Sequence, residues 1–137
     1  MLLQKKNKLM PSKLIMAVSL LHMANANGSV ENEQINYLLT IFKGDTKIVN
    51  HADRHIKDAI KKGRTLDDFL EDANKVLSDE QKRCIVANMI DIMYSDGRCD
   101  AYEQKLLDAY ISGFGHDYSD YLTYIELSVI KNNHEVF

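Results

Sequence analysis

The residues best suited to chemistry in this sequence are four carboxylates that lie near one another around position 97. Asp96, Asp100 and Glu103 lie close together in the sequence, and Asp91 precedes Asp96 by little more than one helical turn. Carboxylate oxygens are the ligands that hard divalent cations such as Ca²⁺ and Mg²⁺ prefer. The sequence therefore predicts a metal site of the calcium or magnesium class, with Asp96, Asp100, Glu103 and Asp91 as its candidate ligands.

The spacing of these acids matches only half of an EF-hand loop. Asp96, the glycine after it and Glu103 fit the second half of that loop, but Ile92 and Tyr94 stand where its first two ligands belong. Neither side chain supplies a carboxylate, so we do not expect a calcium-sensing EF-hand in either half. With so few charged ligands, we expect a weak site with a dissociation constant no tighter than about 10⁻⁴ M.

A purely structural role explains the same acids. Asp100 and Glu103 have the spacing of a capping box at the start of a helix, and both carboxylates favour the positive end of its dipole. Asp96 and Gly97 suit the turn that precedes such a helix. A capped turn and an ion site therefore both remain open from the residues alone.

Helices must position this corner, because apolar residues recur with helical period along the chain. Glycines separate the periodic segments, and Thr65 with Asp68 and Ser78 with Gln81 have the spacing of capping boxes. The sequence predicts an all-α, single-domain bundle of about seven helices, near residues 12–26, 32–43, 46–62, 66–76, 78–94, 101–113 and 119–131. Within them, the period places Ile60, Leu122 and Val129 on inward faces.

An internal repeat relates the two halves of the chain. Gly28 and Gly97 are 69 positions apart, and so are Gly44 and Gly113. Apolar positions between these glycines also coincide at this offset. We therefore predict a duplicated helical hairpin, with Gly28, Gly44, Gly97 and Gly113 as structural turn residues.

The two corners of this repeat differ in charge. Asn27 and Gln34 stand in the first corner where the second has Asp96 and Glu103. Affinity for a cation rises with the number of charged ligands, so the first corner should bind ions more weakly.

Bulk composition suits one domain. The chain has 137 residues, of which 45% are hydrophobic, which is enough for a single core. We expect an N-terminal extension at 1–11, the helical domain at 12–131 and a C-terminal tail at 132–137. The net charge of −3 provides no general field for nucleic acid, so no nucleic-acid partner is expected.

The N-terminal region superficially resembles a secretory leader, because lysines precede an apolar stretch from Leu14 to Leu21. Pro11 and Lys13 interrupt that pattern, and the apolar stretch has a counterpart in the second half of the repeat. No apolar run reaches the roughly 18 residues of a membrane span. We therefore expect a cytoplasmic protein without a membrane span.

A second functional hypothesis is a metal-dependent hydrolase. Such an enzyme needs carboxylates and histidines gathered around its metal ions. His22, His51 and His55 are the candidate histidines, and their distance from the acidic corner distinguishes the two hypotheses. The sequence shows no arrangement of a nucleophile with its base.

Two helical hairpins with a corner of the form Asp-Gly-x-apolar-x-x-x-Glu resemble the TerB-like family of tellurite-resistance proteins, a fold also attached to some DnaJ-type co-chaperones. The resemblance covers roughly residues 12–131. It implies an all-α fold, a bacterial stress-response or phage-defence setting, no established catalysis, and acidic corner residues that hold a metal ion. Asp96 and Glu103 match the pattern, whereas Asn27 and Gln34 depart from it. The expected function is a non-catalytic stress-response or interaction module with a protein partner.

Overall fold

A computed structural model describes residues 9–26, 28, 32–95 and 99–137. This part of the chain contains seven α-helices, two short 3₁₀ helices and no β-strand. The α-helices are α1 (Ser12–Ala24), α2 (Asn32–Ile41), α3 (Thr46–Lys61), α4 (Leu66–Asn74), α5 (Asp79–Met93), α6 (Ala101–Gly113) and α7 (Leu122–Asn132). The 3₁₀ helices are Tyr118–Tyr121 and His134–Val136. The predicted all-α class is confirmed.

Helix α1 lies at the centre of the bundle and packs mainly against α3 and α5. It is apolar on nearly every side, which is typical of a helix surrounded by protein. Ile15, Leu20 and Met23 are fully buried. The other helices, by contrast, bury one face and expose the other.

Capping side chains start the helices where the sequence predicts. Thr65 and Asp68 form a capping box on α4, and Ser78 and Gln81 form another on α5. In each pair, the first side chain accepts the backbone N–H of the second residue, and the second side chain accepts the N–H of the first. These bonds satisfy backbone donors that the first helical turn leaves without partners.

The bounds of the helices support the predicted duplication. Ala24 ends α1 and Met93 ends α5, while Asn32 begins α2 and Ala101 begins α6, so both pairs are 69 residues apart. The residues that follow α1 and α5 have nearly the same backbone angles, φ −95° and ψ 1° against φ −100° and ψ 6°. The chain thus leaves α1 and α5 with nearly the same backbone conformation.

One glycine of the predicted repeat has a different role. Gly44 is left-handed, with φ 79°, but Gly113 is the last residue of α6 and Gly115, with φ 74°, turns the chain instead. A Cβ atom on Gly113 would lie 2.6 Å from Leu70 Cδ1. The prediction that Gly113 is a turn residue equivalent to Gly44 is therefore wrong, because Gly113 allows α4 and α6 to approach closely.

Three residues predicted to face the core lie at the surface. Ile60 is 71% exposed, and Leu122 and Val129 are each nearly half exposed. Ile125 and Ser128 are the buried positions of α7. In the described part of the chain, no helix is long and apolar enough to cross a membrane.

Candidate functional site: an acidic corner between two helices

The corner between α5 and α6 contains a reciprocal pair of acids. Asp100 Oδ1 accepts the backbone N–H of Glu103 at 2.9 Å, and Glu103 Oε1 accepts the backbone N–H of Asp100 at 3.1 Å. The predicted capping box is therefore confirmed. Glu103 is only 5% exposed, which is rare for a glutamate side chain.

The other two corner predictions, Asp96 as a ligand and Gly97 as a turn residue, lie outside the described residues, as does Asn27 in the first corner. Gly28 is described and is left-handed, with φ 89°. Gln34, which occupies the position of Glu103 in the first hairpin, is likewise buried and is 4% exposed.

Asp91 does not point into this corner but joins α5 to two other helices. Its Oδ2 accepts hydrogen bonds from the hydroxyls of Tyr37 and Tyr124, both at 2.8 Å. Its Oδ1 accepts from Ser128 Oγ and Lys131 Nζ, both at 3.2 Å. Both oxygens are thus engaged by α2 and α7, and we leave Asp91 out of the ligand set.

The surroundings of Asp91 favour the ionised form of its carboxyl group. Burial by itself would raise the pKa of Asp91, but hydrogen bonds from Tyr37, Tyr124 and Lys131 outweigh it and lower the pKa. Burial and the bond to Asp91 raise the pKa of Tyr124 to about 12. The cluster is therefore one carboxylate held by neutral hydroxyls and one lysine.

The sequence pattern did not indicate that Tyr37 and Tyr124 would both bond to Asp91. Tyr37 and Asp91 are 54 positions apart, so no local pattern indicates their contact. The repeat aligns His22 with Asp91, and in the structure His22 likewise bonds to a tyrosine of the opposite hairpin, Tyr110.

The histidines of the hydrolase hypothesis lie elsewhere. His22 contacts Tyr110 and Phe69 inside the bundle, and His55 lies on α3 beside Phe69. The described residues contain no group of three or more His, Cys, Asp and Glu side chains that is able to hold a metal ion. Nothing in their placement favours the hydrolase.

Another histidine, His116, joins two helix ends. Its Nδ1 lies 2.6 Å from the hydroxyl of Tyr121, and its Nε2 lies 2.6 Å from Asp79 Oδ1 at the start of α5. The side chain of His116 is 7% exposed. These two contacts hold the segment after α6 against the start of α5, and they account for the burial of His116.

These features define a class of protein: an all-α domain of two similar helical hairpins, with a neutral first corner and an acidic second one. The profile of the family described as tellurite resistance protein TerB matches residues 13–122, which is most of the chain. The chain therefore belongs to the TerB family. No curated protein and no solved structure gives a match.

Proposed function

We propose that this TerB-family chain is a non-catalytic interaction module of a stress response and that its second corner binds a divalent cation weakly. The proposed ligands are Asp96, Asp100 and Glu103. Their carboxylates suit Ca²⁺ or Mg²⁺, because an ionised carboxyl group offers two acceptor oxygens.

The observation that carries this proposal is the burial of Glu103. A carboxylate removed from water is costly unless partners compensate its charge. One such partner is the backbone N–H of Asp100, which donates to Glu103 Oε1 at 3.1 Å. A cation bound here would add to that compensation for the negative charge of Glu103, a charge that the equally buried Gln34 of the first corner does not carry.

The exposed side of α7 supports a protein partner. Leu127 is 56% exposed and Ile130 is 71% exposed, with Leu122 and Val129 nearby along the same helix. Contiguous apolar side chains at a protein surface often mark sites of protein contact. We propose that this partner meets the module in the cytoplasm.

Calorimetry tests the cation site. Calcium or magnesium titrated into the full chain at millimolar concentration should give saturable heat, with a dissociation constant no tighter than about 10⁻⁴ M. The double variant Asp96→Asn with Glu103→Gln should lose this heat. Asp91→Asn is the matched control, because it removes a carboxylate that already faces other partners, and it should still bind. Identical heats for the wild type and the double variant would refute the site.

A further inference from the structure

Two cavities of the bundle lie at equivalent places in the two halves of the repeat. The smaller has a volume of about 290 Å³, and residues of α5 and α2 on its lining include Asp91, Ser95, Asn36, Tyr37 and Thr40. The larger is a groove of about 790 Å³, and the residues 69 positions away on α1 and α6 line it: His22, Ala26, Lys105, Leu106 and Ala109. The duplicated hairpins therefore form the same cavity twice, with different side chains on its walls.

The smaller cavity contains an anion that belongs to the protein itself. The carboxylate of Asp91 accepts hydrogen bonds from Tyr37 on α2 and from Lys131 on α7. In the groove, His22 occupies the position of Asp91, and Leu106 occupies that of Tyr37. The groove thus has no carboxylate at the equivalent place and no tyrosine hydroxyl to bind one.

The same replacements make the groove wide and apolar. Leucine is smaller than tyrosine, and Ala109 is smaller than its counterpart Thr40. Helices α3 and α4 add Ile56, Leu66 and Phe69 to the walls. Natural ligand sites have volumes of about 300–1,000 Å³ and mainly apolar walls with a few polar groups. The groove has the volume and the lining of such a site.

One cation on the lining of the groove is not neutralised by a neighbour. Lys62 pairs with Asp58 at 2.9 Å, and Arg64 pairs with Asp72. Lys105 is exposed and forms no ion pair within the described part of the chain. The charged side chains of this lining therefore leave a single positive charge, on the α6 wall.

The two histidines of the groove add no charge to that of Lys105. Burial, with a smaller effect of His55, lowers the pKa of His22 to about 4. Burial also lowers the pKa of His55. Both rings are therefore neutral at physiological pH, and Lys105 is the group that an anion would meet.

We propose that the groove binds an apolar molecule with one carboxylate, and that this carboxylate pairs with Lys105 while the apolar body lies against Leu66, Phe69 and Leu106. The ligand supplies the anion that Asp91 supplies in the other half of the repeat. A carboxylate among apolar walls is costly unless a cation compensates it, and one lysine compensates one negative charge. A cationic amphiphile would instead be repelled by Lys105.

Three probes with the same number of carbon atoms isolate the head group: octanoate, 1-octanol and octylammonium. Each is titrated at pH 7 into the full chain with labelled methyl groups and followed by NMR. Octanoate should bind about three- to tenfold more tightly than 1-octanol, the value of a partly exposed hydrogen bond to a charged group, and octylammonium should bind most weakly. The methyl signals of Ile56, Leu66 and Leu106 should move and reach saturation.

A charge variant tests the role of Lys105. Lys105→Met keeps most of the apolar stem and should lower the affinity for octanoate to that for 1-octanol, without changing the affinity for 1-octanol. Lys47→Met is the matched control, because it removes the same charge from an exposed position of α3 outside the groove. This control should keep the preference for octanoate.

A second pair of variants tests the location. Ala109→Leu fills the groove from α6 and should weaken the binding of octanoate and 1-octanol at least tenfold, whereas Ala101→Leu, on the exposed start of the same helix, should leave both unchanged. Thermal transitions check the folding of each variant, and Lys105→Met tests the proposal even if Ala109→Leu does not fold.

Four results would each overturn the proposal: equal affinities of the wild type for octanoate and 1-octanol, a preference for octanoate that survives Lys105→Met, full binding by folded Ala109→Leu, or methyl shifts that do not saturate.

Discussion

Glu103 and Gln34 occupy the same position in the two hairpins. Each is the third residue of its helix, α6 and α2 respectively, and each side chain is at most 5% exposed. Glutamate and glutamine have nearly the same shape, so the repeat keeps the fit of this position and changes its charge. Two roles of Glu103, as helix cap and as cation ligand, can thus be separated by substitution.

The first prediction separates those roles. Glu103→Gln keeps an oxygen that can accept the Asp100 N–H, whereas Glu103→Ala removes it. We expect Glu103→Ala to lower the free energy of unfolding by about 1–2 kcal/mol, and Glu103→Gln by less than half as much. Urea unfolding without added cation measures both, with the exposed Glu71→Ala as the control. Equal losses for the two Glu103 variants would show that the cap is not what this side chain contributes.

A second prediction concerns the carboxylate of Asp91. The two carboxylate oxygens of Asp91 accept hydrogen bonds from Tyr37, Tyr124 and Lys131. In Asp91→Asn an NH₂ group replaces one of these oxygens, so the donors bonded to that oxygen lose their acceptor. The free energy of unfolding should fall by about 1–3 kcal/mol at pH 7. Asp53→Asn, on an exposed pair with Lys57, should cost less than about 0.5 kcal/mol.

The pH dependence of this loss follows from the lowered pKa of Asp91. Its contribution to stability is present above the ordinary aspartate value of about 4 and is lost as the pH falls through the lower, folded-state pKa. The difference between wild type and Asp91→Asn should therefore shrink between pH 7 and pH 3. A difference that stays constant over this range would contradict the role of the ionised carboxylate.

Local signals in the sequence were enough to predict the helices and their starts. The capping pairs at Thr65, Ser78 and Asp100 depend on residues three positions apart, and the structure contains all three. The 69-residue offset was also visible in the sequence, because it is the spacing between glycines near the ends of successive helices. These features need no knowledge of how distant helices pack.

What the sequence could not predict depends on packing between distant elements. Ile60 has the right period for an inward position, but its side chain is 71% exposed, because the helices of the described part leave that side of α3 uncovered. Asp91 resembled a corner ligand because it is near Asp96 in sequence, yet its side chain points towards α2 and α7. Gly113 looked like a turn residue, and only the position of Leu70 shows why a glycine is needed there.

A third prediction follows from the two glycines at the end of α6. Gly115→Ala introduces a side chain at a positive φ and should cost about 1 kcal/mol. Gly113→Ala should also destabilise the wild type, because its Cβ meets Leu70, but this cost should fall or reverse in a Leu70→Ala background. The cost of Gly115→Ala should be the same in both backgrounds. A double-mutant cycle by urea unfolding measures this, and an absence of coupling between positions 70 and 113 would contradict the close contact.

The last prediction concerns His22 and acid. The unfolded chain takes up a proton on this histidine near pH 6.5, whereas burial lowers the pKa in the folded state to about 4. Between these values the unfolded state binds more protons, so stability is fully present above pH 6.5 and declines as the pH falls.

From pH 7 to pH 5, His22 should account for a loss of about 2 kcal/mol in the free energy of unfolding. His55, whose pKa is also lowered, mainly by burial, contributes in the same direction and remains in any His22 variant. His22→Phe should therefore lose less stability than the wild type over this range, whereas the exposed control His134→Phe should follow the wild type. Urea unfolding at the two pH values measures the difference. Parallel losses in all three proteins would mean that His22 accepts protons as freely in the folded chain as in the unfolded one.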